Sequence, residues 1–576
     1  MKPSKNLFYF IIIFYIKERI YLNRMNILQQ NLFNLLTEFD DICKKYDINY
    51  FLAAGTALGA VRHHRFLPWD DDMDLYITRD NWNKLRNVLE TEENVLPKGR
   101  SFVYHENTKY YRNPIPRYVN NETTTIYKTQ SLAGKACGQH LELLILDPMP
   151  KDEEEQQEFI DLLRVYTEIL SPFFVVCRNL SLEEWEKHYK LYQEYYERAE
   201  NEGDEKILQE LSDKLQNYSL EESDRYCMRW GNVIYTYNKE HLEESRIGLF
   251  EGREFPISKY AETMLRIAYG DSWMYVPEVE DQVVRSPITN LSMPFKEYTS
   301  RYLEKINREE VLKKYRILKH GNANMFYKRR KVDYLVAKVN VNVESKEIVK
   351  DLNKKEEYLC SLLEEKDYES ILAEFDDFCN LQLRRDVKKY NIFVPISKRN
   401  LKTLLLCFIE KGQYFDGNRY LKIYKNQGET LDDELIEIEN LINICRELSR
   451  ARYDKKDVEL VQKLIEKYEE SYPDLLDICR AKIWIMENKA KTEEDYKEID
   501  ELCDKALKMY PFDGEIMAIQ AKAKLDCGKK EEAMNLYNKA IYNTRNGIIW
   551  QKVEDEVGIS RTDIERDLIE GLEDEN

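Results

Sequence analysis

Four of the five residues from Asp70 to Asp74 are aspartates, and the run leads straight into an apolar alternation of Met73, Leu75 and Ile77. Alternate residues of an extended strand share a face, so the pattern predicts a strand over Asp72–Thr78. Met73, Leu75 and Ile77 would enter a core, with Asp72, Asp74 and Tyr76 on the other side. Carboxylates fixed side by side repel, and the arrangement makes sense where a cation sits between them. Oxygen ligands of this type suit Mg²⁺ or Mn²⁺, with water and phosphate filling the remaining positions. A calcium-binding loop is excluded, because its sixth and twelfth positions would be Leu75 and Asn81 instead of Gly and Glu. The plainer alternative is a solvated acidic turn.

Two further features weigh against that alternative. Glu142 is the lone charge in the apolar run LELLIL, Leu141 to Leu146. A buried carboxylate is costly unless paired or bound to metal, so Glu142 is a candidate third ligand on a strand beside that of Asp72 and Asp74. The competing reading is an edge strand with Glu142 facing water. Earlier in the chain, Asn49–Ala54 reads as a strand ending at Gly55 and Thr56, with a short helix after them. Backbone N–H groups at a helix N-terminus bind phosphate. Arg62, His63, His64 and Arg65 then add positive charge between this turn and the acids.

Together these residues, GTALGAVRHHRFLPWDDDMDL, resemble the signature of the LicD family, kin to fukutin, within the nucleotidyltransferase superfamily. The matching positions are Gly55, Thr56, Leu58, Gly59, Arg62, His63, Phe66, Pro68, Trp69, Asp70, Asp71, Asp72 and Asp74. The family's later acidic strand resembles LELLILD, with Glu142 in the Asp place and Asp147 following. FEGREFPI at 250–257 and YGDSWM at 269–274 look like the family's closing segments. Departures are Glu142 for Asp, Leu144 and Ile145 for Phe-Pro, and Arg65 where the family has Gly; none deletes a carboxylate.

The resemblance implies a transferase that moves a phospho-substituent, typically phosphocholine or a phospho-alditol, from a CDP-linked donor to a sugar hydroxyl. The acceptor would be a cell-surface glycan such as lipopolysaccharide or teichoic acid. It assigns Asp72, Asp74 and Glu142 to metal binding and catalysis, with Glu142 either completing the metal site or taking the acceptor's proton. Gly55, Thr56, Arg62, His63 and Trp69 go to the donor, and Asp70, Asp71 and Asp147 to supporting positions. A metal-dependent glycosyltransferase and a nucleotide-sensing scaffold remain as alternatives.

The fold expected is an α+β nucleotidyltransferase-like domain, a small mixed sheet with helices, over residues 25–292, followed by an all-α helical-repeat domain. A charged helical insertion is expected at 151–245, a helical connector at 293–350 and irregular tetratricopeptide-like helices at 351–576. Ala506 and Ala540 lie 34 residues apart, the period of that repeat. Gly412, Gly417 and Leu421 repeat the offsets of Gly528, Ala533 and Tyr537; an ordinary helical bundle is the alternative. Concave helical repeats bind peptides or proteins, which makes a protein partner one expectation for this half.

The formal net charge of −19 argues against a nucleic-acid partner. The 11 cysteines include no C-x-x-C pair and read as reduced thiols of a cytoplasmic protein. The apolar stretch Leu7–Ile16, ten residues long, is too short to span a bilayer. Within residues 1–24 the expectation is a misassigned start, with Met25 as the natural one, or an anchor at the membrane surface. Peripheral association with the inner face of the plasma membrane is expected where the acceptor is lipid-linked.

Overall fold

The structure, a computed structural model, describes residues 25–127, 137–171, 182–219, 221–229, 234–277, 282, 288–383, 387, 392–426 and 428–558. The apolar stretch Leu7–Ile16 lies outside the described residues. The chain divides into two compact units: one runs up to Ala268 and resumes over Val276–Tyr327, and the other comprises Tyr269–Tyr275 and Lys328–Ile559. The division falls within a single helix, Arg308–Lys354, inside the stretch expected as a helical connector at 293–350.

In the first unit, helix α1 (Ile27–Lys45) starts at a capping box made by Asn26 and Gln29, and it buries Leu32, Leu35, Leu36, Phe39 and Ile42. Strand β1 (Phe51–Leu52), helix α2 (Ala54–Arg62), strand β2 (Asp74–Thr78) and helix α3 (Arg79–Thr91) follow. Then come β3 (Arg100–Val103), β4 (Arg117–Ile126) and β5 (Cys137–Pro148). The sheet order is β1-β2-β5-β4-β10, with β10 at Ile288–Asn290 and β3 also paired to β4. Among the described residues β2 and β5 are the parallel pair, and the register sets Asp74 opposite Glu142 and Tyr76 opposite Leu144. Their shared face carries Tyr76, Leu144 and Leu146 into an apolar cluster with Phe51, Ala53, Tyr237 and Met264.

Two expectations about these elements change. Strand β2 begins at Asp74, so Asp72 lies in the preceding loop. Helix α2 begins before Gly55 and Thr56 and contains both. Helix α3 starts directly after Thr78, with Asp80 in its first turn, where a carboxylate complements the helix dipole.

The insertion is helical only in its first part. Helices α4 (Glu153–Leu170), α5 (Leu182–Glu202) and α6 (Asp204–Leu215) pack through Phe159, Leu163, Tyr192, Ile207 and Leu211. The chain then returns to the sheet as β6 (Arg225–Met228) and β7 (Thr236–Asn238), with β6 paired to the end of β5. A two-stranded sheet, β8 (Ser245–Phe250) and β9 (Arg253–Ser258), precedes helix α7 (Ala261–Tyr269). The long helix Arg308–Lys354 is α8.

The second unit is helical. Its helices include α9 (Lys398–Glu410), α10 (Tyr414–Asn426), α11 (Asp433–Ser449), α12 (Leu476–Lys489), α13 (Glu493–Met509), α14 (Gly514–Asp526), α15 (Lys530–Asn543) and α16 (Gly547–Val557). The offsets seen in the sequence recur as structure. Gly412 and Gly528 both take positive φ, +69° and +76°, at the ends of α9 and α14. Gly417 and Ala533 are buried in the following helices, as are Leu421 and Tyr537. Among the described residues no helix is long and apolar enough to cross a membrane.

Asp147 anchors the far end of β5. It is 1% exposed and accepts from Arg79 Nε at 2.6 Å and Arg79 Nη2 at 3.1 Å, with Arg229 Nη1 at 3.5 Å. Burial pushes its carboxyl up, but the charges of Arg79 and Arg229 outweigh burial and hold it below the usual range. Its contribution to stability is therefore full above the unfolded value of about 4 and is lost as pH falls below it. Asp147→Asn is expected to cost about 3 kcal/mol in urea unfolding at pH 7, with the gap to wild type narrowing on titration towards pH 3.

Candidate functional site

The acids collect where the loop after α2 turns into β2. The carboxylates of Asp70, Asp71 and Asp72 each offer an oxygen, all within 4.8 Å of one another. Among the described residues this is the group of three with ligand-like spacing; it includes Asp72, and Asp74 and Glu142 follow level with each other on β2 and β5. A loop lets successive side chains converge, whereas a strand sends them to opposite faces.

Two close contacts fold this loop against α2. A Cβ at Gly55 would sit 2.4 Å from Asp70 Oδ2, so glycine is what lets the Asp70 carboxylate lie against the first turn of the helix. Ala54, just before it, has φ +43°, in the region that favours glycine; such a conformation costs on the order of 1–3 kcal/mol and persists because its surroundings enforce it. Thr56, buried inside α2, accepts the Asp74 N–H at 3.0 Å through its hydroxyl, while Ala53 N–H donates to Asp74 O at 2.9 Å. Gln29 of α1 donates to Asp70 O at 3.0 Å.

Residues 62–69 form the other wall. Arg62 is 2% exposed, and its Nε lies 3.3 Å from His63 Nδ1. Loss of hydration, with Arg62, Arg65 and His64 nearby, holds His63 well below the usual histidine range. The Trp69 ring meets His63 edge-on at 6.4 Å.

The β8–β9 hairpin braces this wall. Phe66 N–H donates to Glu251 Oε1 at 2.9 Å, and Glu251 N–H donates to His64 O at 2.9 Å. Phe250 packs on Phe66 at 4.9 Å and against Gly59. The sequence marks FEGREFPI as a family segment but does not disclose this bracing.

Glu142 stands beside Asp74 on the parallel neighbour strand, as the sequence anticipates, and its side chain is 21% exposed. Its partner is a residue that sequence reasoning missed. Arg117 of β4 lies in register with Glu142 and binds Oε1 through Nε at 3.1 Å and through Nη2. Arg117 is 1% exposed, and its guanidinium lies over the rings of Tyr127 at 4.9 Å and Tyr111 at 5.9 Å. Burial alone would favour the neutral form, but Tyr111, Tyr127 and Glu142 keep it charged. No lone charge marks Arg117 in the sequence, since its strand also carries Glu122.

Asp147 does not join the site. It lies five residues beyond Glu142, on the opposite face of β5 and about 16 Å along the strand, where Arg79 and Arg229 hold it.

Residues 47–131 match the family model described as LicD/FKTN/FKRP, nucleotidyltransferase domain. The chain is 26% identical over 271 residues to the lipopolysaccharide cholinephosphotransferase LicD of Haemophilus influenzae, covering 43% of this chain and 91% of that one. Over 59 residues it is 36% and 34% identical to uncharacterized proteins of Rickettsia prowazekii and Rickettsia typhi, spanning 22% and 19% of their lengths. No solved structure matches.

Gly55→Ala is expected to leave the fold intact, because the atom it strikes is the movable end of Asp70. It should displace that carboxylate and lower Mn²⁺ affinity about tenfold, as measured by electron paramagnetic resonance, with little change in thermal unfolding.

Proposed function

We propose that this chain, whose front half carries a LicD-type nucleotidyltransferase domain, transfers phosphocholine or a related phospho-substituent from a CDP-linked donor to a sugar hydroxyl of a cell-surface glycan. The observation that carries the reading is the convergence of Asp70, Asp71 and Asp72 beside the first turn of α2. The Haemophilus influenzae relative supplies the substrate class, since its name specifies lipopolysaccharide and phosphocholine.

The donor set is hard oxygen, which fits Mg²⁺ or Mn²⁺ and does not fit a soft metal. Asp70, Asp71 and Asp72 would hold the ion, with Asp74 and Glu142 one strand position further in. When bound, it would offset negative charge on the donor's phosphates. The first turn of α2, whose N–H groups have no acceptor within their own helix, lies against Asp70. Thr56 and Gly55 set the shape of this region, and Trp69 and His63 supply its aromatic wall. Arg117 occupies one oxygen of Glu142 and fixes its orientation, which favours Glu142 as an anionic ligand over a roving base. The acceptor hydroxyl oxygen would bond to the phosphorus nearer the cargo while its proton passes to water; the bridging P–O bond breaks, and its electron pair leaves with CMP. Soluble CDP-linked donors place the reaction on the cytoplasmic side of the membrane.

The test is CMP release from CDP-choline and CDP-alditols with a lipid-linked glycan extract as acceptor. One donor should turn over in Mg²⁺ and not in EDTA, and Asp72→Asn should lower kcat/KM by at least about a hundredfold. Transfer of a bare sugar from a nucleotide-sugar would contradict the reading.

A further inference from the structure

The helical unit holds a seven-residue peptide that is remote from it in sequence, Tyr269–Tyr275. This segment reads YGDSWMY and is turned by Gly270, at φ +81°. Trp273 and Met274 are each 1% exposed. Three kinds of contact hold it, and they come from helices far apart in the chain.

The first kind is backbone pairing. Tyr275 forms an antiparallel bridge with Asn546, and Gly547 N–H donates to Met274 O at 2.9 Å. The second is charge: Arg446 of α11 binds Asp271 Oδ2 through Nε at 2.8 Å, and Asn418 of α10 reaches the same oxygen at 3.5 Å. The third is the Tyr275 ring, 5.1 Å from Phe415, whose hydroxyl donates to Glu515 Oε1 at 3.1 Å.

Glu515 is the hub of the receptor side. It is 5% exposed and also accepts from Tyr453 at 2.5 Å and Asn546 at 3.0 Å. Arg480, bound to Asp513 at 2.6 Å, lies 4.0 Å away. Burial pushes its carboxyl up, but Arg480 and Arg452 outweigh burial and hold it down at about 2. A buried, fully engaged carboxylate at the end of a bound tyrosine is a specific receptor group, not a general packing contact.

We propose that the helical unit is a peptide-recognition module whose ligand is the chain's own segment Tyr269–Tyr275. Backbone pairing, an acid-to-arginine anchor and an aromatic anchor are what peptide receptors use for partners supplied from outside; here the ligand is covalently supplied, so its effective concentration is high. These contacts are accordingly taken, and a protein partner would have to displace the segment to use them. The proposal does not rest on the transferase reading.

Peptide complementation tests it. In the full chain, Asp271→Ala with Tyr275→Ala should lower the thermal transition of the helical unit by about 5 °C or more. A synthetic peptide of residues 269–276 should restore it in a saturable manner, and a peptide carrying the same two substitutions should not. Fluorescein-labelled wild-type peptide should bind the variant at least tenfold more tightly than wild type. Equal binding to both proteins, or an unchanged transition in the variant, would overturn the proposal. If the double variant does not fold, Tyr275→Phe is measured by hydrogen exchange. Exchange should quicken together at residues 272–276, 513–518 and 545–548; quickening confined to 272–276 would overturn the proposal.

Discussion

The parallel pairing of β2 with β5 fixes the front unit around a single problem of charge. It sets Asp74 level with Glu142 at one end of the sheet, directly after the loop that gathers Asp70, Asp71 and Asp72. Five carboxylates in so small a region repel strongly unless something positive lies among them. The fold meets part of that need itself. Arg117 enters from β4 in register with Glu142, and the first turn of α2 faces Asp70, with Gly55 giving the carboxylate room. We propose that a divalent cation, and a nucleotide diphosphate held by it, occupy this region. Gly55, Thr56 and Glu251 brace the acidic loop and the wall beside it, and Arg117 holds Glu142.

Much of this was legible in the sequence. The alternation Met73, Leu75, Ile77 announces a strand, and the lone charge of Glu142 in LELLIL announces a neighbour for it. Where the reading slipped, the cause was local. Alternation places Asp72 in the strand, but the strand begins at Asp74, which accepts from the Ala53 N–H and donates to the Thr56 hydroxyl. The charged helical pattern of the insertion hid β6 and β7, whose short strands are defined by pairing with the end of β5 and not by their own composition. Asp147 follows LELLIL so closely that it reads as part of the acidic site, yet five residues of strand turn it to the opposite face.

Arg117 and Glu251 were not readable because their roles are set by partners distant in the chain. Arg117 meets Glu142, 25 residues away, and Glu251 meets Phe66, 185 residues away. The helical unit shows the same limit. Its repeated glycine offsets were visible, but its use of a buried acid to hold a tyrosine 240 residues away was not. In both units the sequence displays the periodic parts well, and the single polar contacts that fix function appear only once the chain is folded.

The most direct test of the central claim is anomalous diffraction at the manganese edge from crystals grown with Mn²⁺ and CDP. The account predicts a peak about 2.1 Å from carboxylate oxygens of the Asp70–Asp72 group, with the CDP phosphates on the side of α2. Ordered CDP with no manganese at these carboxylates, or manganese bound only elsewhere, would contradict it.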